Sequence, residues 1–172
     1  MRGSAGNRAT FLALPDGFPD ESFDTMFTDR GKRTDPYLEV FGWQGEGYQP
    51  LVFEEGWQVA ILNWEPLFDL ENAREVEAHF GTDEVFVLTQ GSALLFVRAE
   101  SGLRCEPMHR GLIYNVPRGI YHNLLASRDA SWIIVETRDT DLYDTTLSPL
   151  TTQERKQLRD NAPDWAFRIE PV

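Results

Sequence analysis

The sequence predicts an all-β domain, an antiparallel sandwich or barrel, over residues 36–145. Three observations carry this. Short strand-like runs follow one another from Tyr37 to Thr137, turn residues separate them at regular intervals, and two strings of His and Glu are punctuated by glycines and a proline. An N-terminal arm (1–35) and a C-terminal helix with a tail (146–172) flank the domain.

Residues 1–35 are rich in Gly, Asp, Thr and Arg, with scattered Phe and no sustained period. They read as an arm that covers a sheet edge or exchanges with a second subunit, anchored by Phe18, Phe23, Met26 and Phe27; disorder is the alternative reading. The strand-like runs are Tyr37–Trp43, Tyr48–Phe53, Trp57–Trp64, Val76–Phe80, Glu84–Thr89, Ala93–Glu100, Leu103–Pro107, Leu112–Val116, His122–Ala126 and Trp132–Thr137. Turn signals lie at Gly45–Gly47, Glu54–Gly56, Gln90–Gly91, Ser101–Gly102 and Ser127–Ala130. Pro50 confines its run to an edge strand or to no strand, because proline donates nothing to a ladder. Trp57, Trp64, Phe86, Phe96 and Trp132 are expected in the core.

Pro66–Arg74 reads as either a short helical turn or a loop over the barrel mouth. Thr151-Thr-Gln-Glu154 has the spacing of a capping box, which predicts a helix over residues 152–160 that Pro163 ends. Beyond it Trp165, Phe167 and Ile169 alternate, as in a short strand or a docked tail.

The chemistry-bearing strings are Glu77-Ala-His79-Phe-Gly-Thr-Asp-Glu84, with Gly91 after a six-residue gap, and Gly111 followed by Pro117-Arg-Gly119-Ile-Tyr-His122. Successive strand side chains point to opposite faces, so Glu77 and His79 project together. The loop Phe80–Asp83 then predicts a hairpin that returns Glu84 to His79. Asn115–Gly119 reads as a turn that delivers His122 at a strand start. Two imidazoles with one or two carboxylates form a candidate metal site.

These strings resemble the two sequence motifs of the cupin superfamily. His79, the four-residue gap, Glu84, the six-residue gap and Gly91 match the first motif, and Gly111, Pro117, Gly119 and His122 match the second. Three positions depart: Glu71 replaces a glycine, Glu77 replaces the first ligand histidine, and Ala126 replaces an asparagine. The stretch Thr82–Leu88 is also similar to small single-domain cupins of unassigned activity. The resemblance covers roughly residues 36–140 and implies a double-stranded β-helix, or jelly roll, with His79, Glu84 and His122 as metal ligands. It leaves Glu77 as a further ligand or as a catalytic base beside the ion.

This donor set is that of two imidazoles and one carboxylate around non-haem iron, and added carboxylate favours Fe²⁺ or Mn²⁺ over copper, with Zn²⁺ also admitted. The leading functional expectation is a metal-dependent enzyme acting on a small carbonyl- or carboxylate-bearing metabolite by proton transfer, of isomerase, epimerase or lyase type. The alternatives are an Fe(II)-dependent dioxygenase and a non-catalytic small-molecule-binding cupin. Tyr114 and Tyr121 flank the second-motif turn and read mainly as packing residues, and His109 as a surface residue. Gln58, Asn63 and Arg98 fall in strands whose inward parity the sequence does not assign.

Composition sets outer limits. A chain of 172 residues with 41% hydrophobic and 12% aromatic content suits one compact domain with a real core. A net charge of −12, from 28 acids against 16 bases, argues against a nucleic-acid partner. The single Cys105 excludes an intramolecular disulfide, and no apolar run has the length to span a bilayer or serve as a signal peptide, so a cytoplasmic protein without a membrane partner is expected. Cys105 reads as structural. The cupin resemblance implies a homodimer paired through sheet edges.

Overall fold

The computed structural model describes residues 32–34 and 37–167. The expected arm anchors Phe18, Phe23, Met26 and Phe27, and Ile169, lie outside these residues. Strand β1 (Lys32–Thr34) pairs with β2 (Glu39–Phe41) as a separate antiparallel ribbon. The rest is a two-sheet antiparallel jelly roll.

One sheet contains β3 (Gly47–Phe53), β4 (Gln58–Asn63), β6 (Glu84–Gln90), β9 (Ile113–Val116) and β11 (Ser131–Glu136), in the order β3-β4-β11-β6-β9. The other contains β5 (Glu75–Ala78), β7 (Ala93–Ala99), β8 (Gly102–Met108), β10 (His122–Ala126) and β12 (Thr146–Pro149), in the order β12-β5-β10-β7-β8. Strand β3 is an edge strand whose register shifts between Pro50 and Val52, as its proline requires.

Period-two alternation fills the space between the sheets. Ala60 and Leu62 of β4, Phe86 and Leu88 of β6, Leu95 of β7, Leu124 of β10, and Trp132 and Ile134 of β11 form one buried cluster. Strand β7 reads as a continuous apolar run because both its faces are covered. Leu94 and Phe96 point outward into a second cluster with Val76, Leu125, Leu150 and Leu158. Phe68, in a single 3-10 turn over Pro66–Phe68, lies edge-on to Trp132 at 5.9 Å and helps close one end of the barrel. The ambiguous Pro66–Arg74 segment is thus a short helical turn folded into the core.

Two short helices follow β11: α1 (Thr140–Tyr143) and α2 (Thr152–Asn161). The capping box forms as expected, with Glu154 N donating to Thr151 Oγ1 at 3.1 Å and Thr151 N donating to Glu154 Oε2 at 2.8 Å. Arg98, on the outer face of β7, donates to both Glu154 carboxylate oxygens at 2.6 and 3.1 Å and to Ser148 Oγ at 2.7 Å. This guanidinium, with the Thr151 amide, holds the Glu154 carboxyl down at about 2. One residue therefore ties β7, β12 and α2 together.

The structure corrects some expectations. Trp57 precedes β4 and is 44% exposed, so it is not a core residue. Trp165 and Phe167 lie in a 3-10 turn (Asp164–Phe167), not a strand, although Trp165 docks on the second cluster. Strand β12 was not expected; it is an edge strand, three of its four residues are exposed, and no alternation marks it. No helix among the described residues is long and apolar enough to cross a membrane.

Candidate metal centre

The inward parity of the strands carries a polar ring at one end of the barrel. On β4, β6 and β11 the inward series runs Gln58-Ala60-Leu62, Glu84-Phe86-Leu88 and Trp132-Ile134-Glu136, so Gln58, Glu84 and Glu136 gather at the same end. Register confirms this: Glu136 lies opposite Gln58, and Val135 opposite Val85, next to Glu84. From the other sheet His122 lies opposite Glu77, and His79 follows the end of β5. The opposite end is closed by Leu62, Phe68, Leu88, Met108 and Trp132.

Both imidazoles converge on one carboxylate oxygen. His122 Nε2 is 2.8 Å from Glu84 Oε2 and His79 Nε2 is 3.2 Å from the same atom. All three residues are buried. The other ring nitrogens are committed: His79 Nδ1 donates to the Asp144 carbonyl at 3.0 Å, and His122 Nδ1 donates to the Ile120 carbonyl at 2.9 Å. Those bonds fix ring orientation and direct each Nε2 inward, the backing that metal-ligating histidines use. Phe86 lies edge-on to His122 at 5.6 Å and packs against that ring.

The electrostatics set two imidazoles that are both shifted upward against a buried carboxylate that is shifted downward. Burial alone lowers the His79 pKa, but the hydrogen bond and charge of Glu84 outweigh it and push it up to about 9. His122 moves upward by the same balance. Burial raises Glu84, yet its bonds to His122 and His79 take it below the usual carboxylate range. Glu77 is raised by burial and then by the charge of Glu84. With both rings protonated, two positive charges face the carboxylates, the same charge that one divalent cation would carry.

The two motifs are joined by backbone. Gly119 N donates to the His79 carbonyl at 2.6 Å, and Gly119 holds φ +78, where a side chain is strained. Asp83 accepts from Asn115 Nδ2 at 2.9 Å and from Arg118 N at 3.1 Å, which pins the second-motif turn to the first-motif loop. Gly91 has φ +73, and a Cβ there would meet Ala130 Cα at 2.6 Å. These contacts account for glycine at positions 91 and 119.

All four expected site residues, Glu77, His79, Glu84 and His122, are brought to this end. Ligand atoms of Glu77, His79 and His122 lie within 4.8 Å of one another, as do those of His79, Glu84 and Glu136. Glu136 escaped the sequence reading because its strand ends in Val135-Glu136-Thr137, with no motif around it. Gln58 turns inward, whereas Asn63 holds the Trp43 and Gly45 carbonyls and Arg98 clasps α2. Tyr114 packs on the core and accepts from His109 N at 2.8 Å; Tyr121 packs against Arg98 and Phe80. Burial raises the Cys105 thiol, consistent with an inert residue. The departures from the motifs are filled locally: Glu71 pairs with Arg159 on α2 at 2.9 Å, and Ala126 is buried core.

The two-sheet topology, with both motifs meeting at one end of the barrel, is the arrangement that the resemblance of the two strings implies. The fold is an all-β, two-sheet jelly roll. No family model and no curated protein matches the sequence. Among solved structures, the chain is similar to a cupin-2 domain containing protein from Shewanella frigidimarina at 22% identity, covering 55% of this chain and 85% of that one, with TM-score 0.43. It is also similar to a cupin-like protein from Thermotoga maritima at 19% identity (64% and 81% covered, TM-score 0.41) and to KdgF from Halomonas sp. at 14% (55% and 82%, TM-score 0.42). This chain's His/Glu group has the donors to hold a metal ion.

Proposed function

We propose that this cupin is a metal-dependent enzyme that moves a proton on a small carbonyl- or carboxylate-bearing metabolite, in an isomerase, epimerase or lyase type of reaction. The observation that carries the reading is the convergence of two backed imidazoles on a single oxygen of Glu84. His79, Glu84 and His122 are the ligands in this reading. Carboxylates beside two imidazoles favour Fe²⁺ or Mn²⁺, and Zn²⁺ fits the same donors.

A divalent ion held there supplies Lewis acidity toward a substrate oxygen. The chain supplies the rest. Buried apolar walls at Phe86 and the deeper core exclude water behind the ligands. Glu77 is half-buried, is raised by burial, and has no hydrogen bond on its carboxylate among the described residues. A carboxylate with these properties is suited to take a proton from carbon α to a carbonyl. The same donor types also serve iron oxygenases, which gives the competing outcome of the test.

The test is solvent deuterium exchange, followed by NMR, over a panel of small oxo and hydroxy acids under anaerobic conditions with Mn²⁺ or Zn²⁺. Metal-dependent exchange at the α carbon is expected for at least one member of the panel. Oxygen uptake that strictly requires Fe²⁺, with no exchange on any metal, contradicts the proton-transfer reading in favour of a dioxygenase. Absence of metal uptake contradicts both and leaves a binding cupin.

A further inference from the structure

The histidine that Glu77 replaces leaves the centre one ligand short. Two carboxylates besides Glu84 stand within reach, and their settings differ. Glu77 belongs to the sheet that carries His122 and groups with His79 and His122, whereas Glu136 belongs to the opposite sheet and groups with His79 and Glu84.

Glu136 is 6% exposed and tightly held. Tyr48 Oη donates to its Oε1, and Gln58 Nε2 donates to the same oxygen at 3.0 Å. Gln58 is itself fully buried; it also donates to Tyr48 Oη at 2.9 Å and to Asp141 Oδ1 at 3.1 Å, while its Oε1 accepts from Asp139 N at 2.9 Å. Both donors to Glu136 thus fall on one oxygen, and no hydrogen bond among the described residues falls on Oε2. A buried carboxylate with one oxygen locked and the other free is the arrangement of a backed metal ligand. Glu77 has no such backing among the described residues, so its carboxylate is free to turn toward a bound substrate.

We propose that Glu136 of β11 is a further metal ligand beside His79 and Glu84, positioned by Tyr48 and Gln58, and that Glu77 is left off the ion as the base. This assignment rests on the metal-centre reading above and divides its carboxylates by role. It also gives the Asp139 turn a purpose. Asp139 adopts φ 62, uncommon for a residue other than glycine, and its amide holds Gln58 in the orientation that presents Nε2 to Glu136.

The test compares Co²⁺ binding by calorimetry and visible absorption in the unsubstituted protein, Glu136→Gln, Glu136→Ala, Tyr48→Phe and Glu77→Gln. Glu136→Ala is expected to weaken Co²⁺ by at least about 100-fold and to change the ligand-field bands. Glu136→Gln, which keeps the size of the side chain, changes the same bands, and Tyr48→Phe weakens binding by about 10-fold, as for loss of a backing donor. Glu77→Gln is expected to leave affinity and spectrum unchanged while abolishing deuterium exchange. Loss of affinity in Glu77→Gln, with Glu136→Gln unaffected, overturns the assignment while leaving a metal centre intact. An unsubstituted protein that takes up no Co²⁺ overturns the metal-centre reading and this assignment with it.

Discussion

Replacing His122 with Ala lowers affinity for Mn²⁺ or Co²⁺ by at least about 100-fold, because loss of a mere backing group at such centres already costs about 10- to 100-fold. The same substitution destabilises the metal-free protein by about 1.5–3 kcal/mol, the usual worth of a hydrogen bond to a charged group. His122 Nε2 is the nearer of the two donors to Glu84 Oε2, at 2.8 Å against 3.2 Å for His79, so its removal leaves a buried carboxylate with the weaker partner alone. His79→Ala is expected to match it in metal affinity and to differ in a second respect. His79 also donates to the Asp144 carbonyl, and Asp144 in turn accepts from Phe80 N and Gly81 N, so this variant loosens the segment after α1 as well. Calorimetric metal titration, thermal denaturation and hydrogen exchange at residues 140–146 read these three effects. Metal affinity unchanged in both variants would remove the imidazoles from the centre.

The stability conferred by metal grows by about 3 kcal/mol between pH 6.5 and 9, and it grows because the metal-free protein weakens. In the metal-free state His79 titrates at about 9 against an unfolded value of about 6.5. A pKa raised on folding contributes stability that is fully present below the unfolded value and lost as pH climbs through the folded one. His122 is raised too and acts in the same direction. Metal-loaded protein has no imidazolium left to titrate, so these two residues give it level stability across that window. The expected result is a melting temperature that falls from pH 6.5 to 9 without metal and holds steady with saturating Mn²⁺, accompanied by release of about two protons per ion bound near pH 6. Parallel curves with and without metal would show that the ion does not displace these protons.

The sequence exposes what repeats at short range and hides what is assembled across sheets. His79, Glu84, His122 and their glycines are legible because tight turns fix their spacing: Gly119 must reach the His79 carbonyl, and Gly91 must pass Ala130. Ten of the strands are legible as short apolar or alternating runs between turn signals, and the Thr151–Glu154 box because capping is local. Strand β12 is not, since an exposed edge strand requires no alternation. Glu136 and Gln58 are hidden for another reason. Each is a polar residue at the end of an apolar run, and only the register of β4 against β11 places the two side by side on the inner face. Gln58 was a residue without an assignable face, and the face was decided by neighbours 78 residues away. The identity of Glu77 as ligand or base was open for the same reason, because the competing carboxylate lies on the opposite sheet.

The most direct test of a metal centre at the end of this barrel is elemental analysis of the protein purified without added metal, alongside His79→Ala and His122→Ala prepared in the same way. The predicted result is about one divalent ion per chain, Fe²⁺, Mn²⁺ or Zn²⁺, in the unsubstituted protein and none in either variant, with the β-sheet circular dichroism retained. An unsubstituted protein that carries no ion and takes up none when offered Mn²⁺, Fe²⁺ or Zn²⁺ would contradict the account.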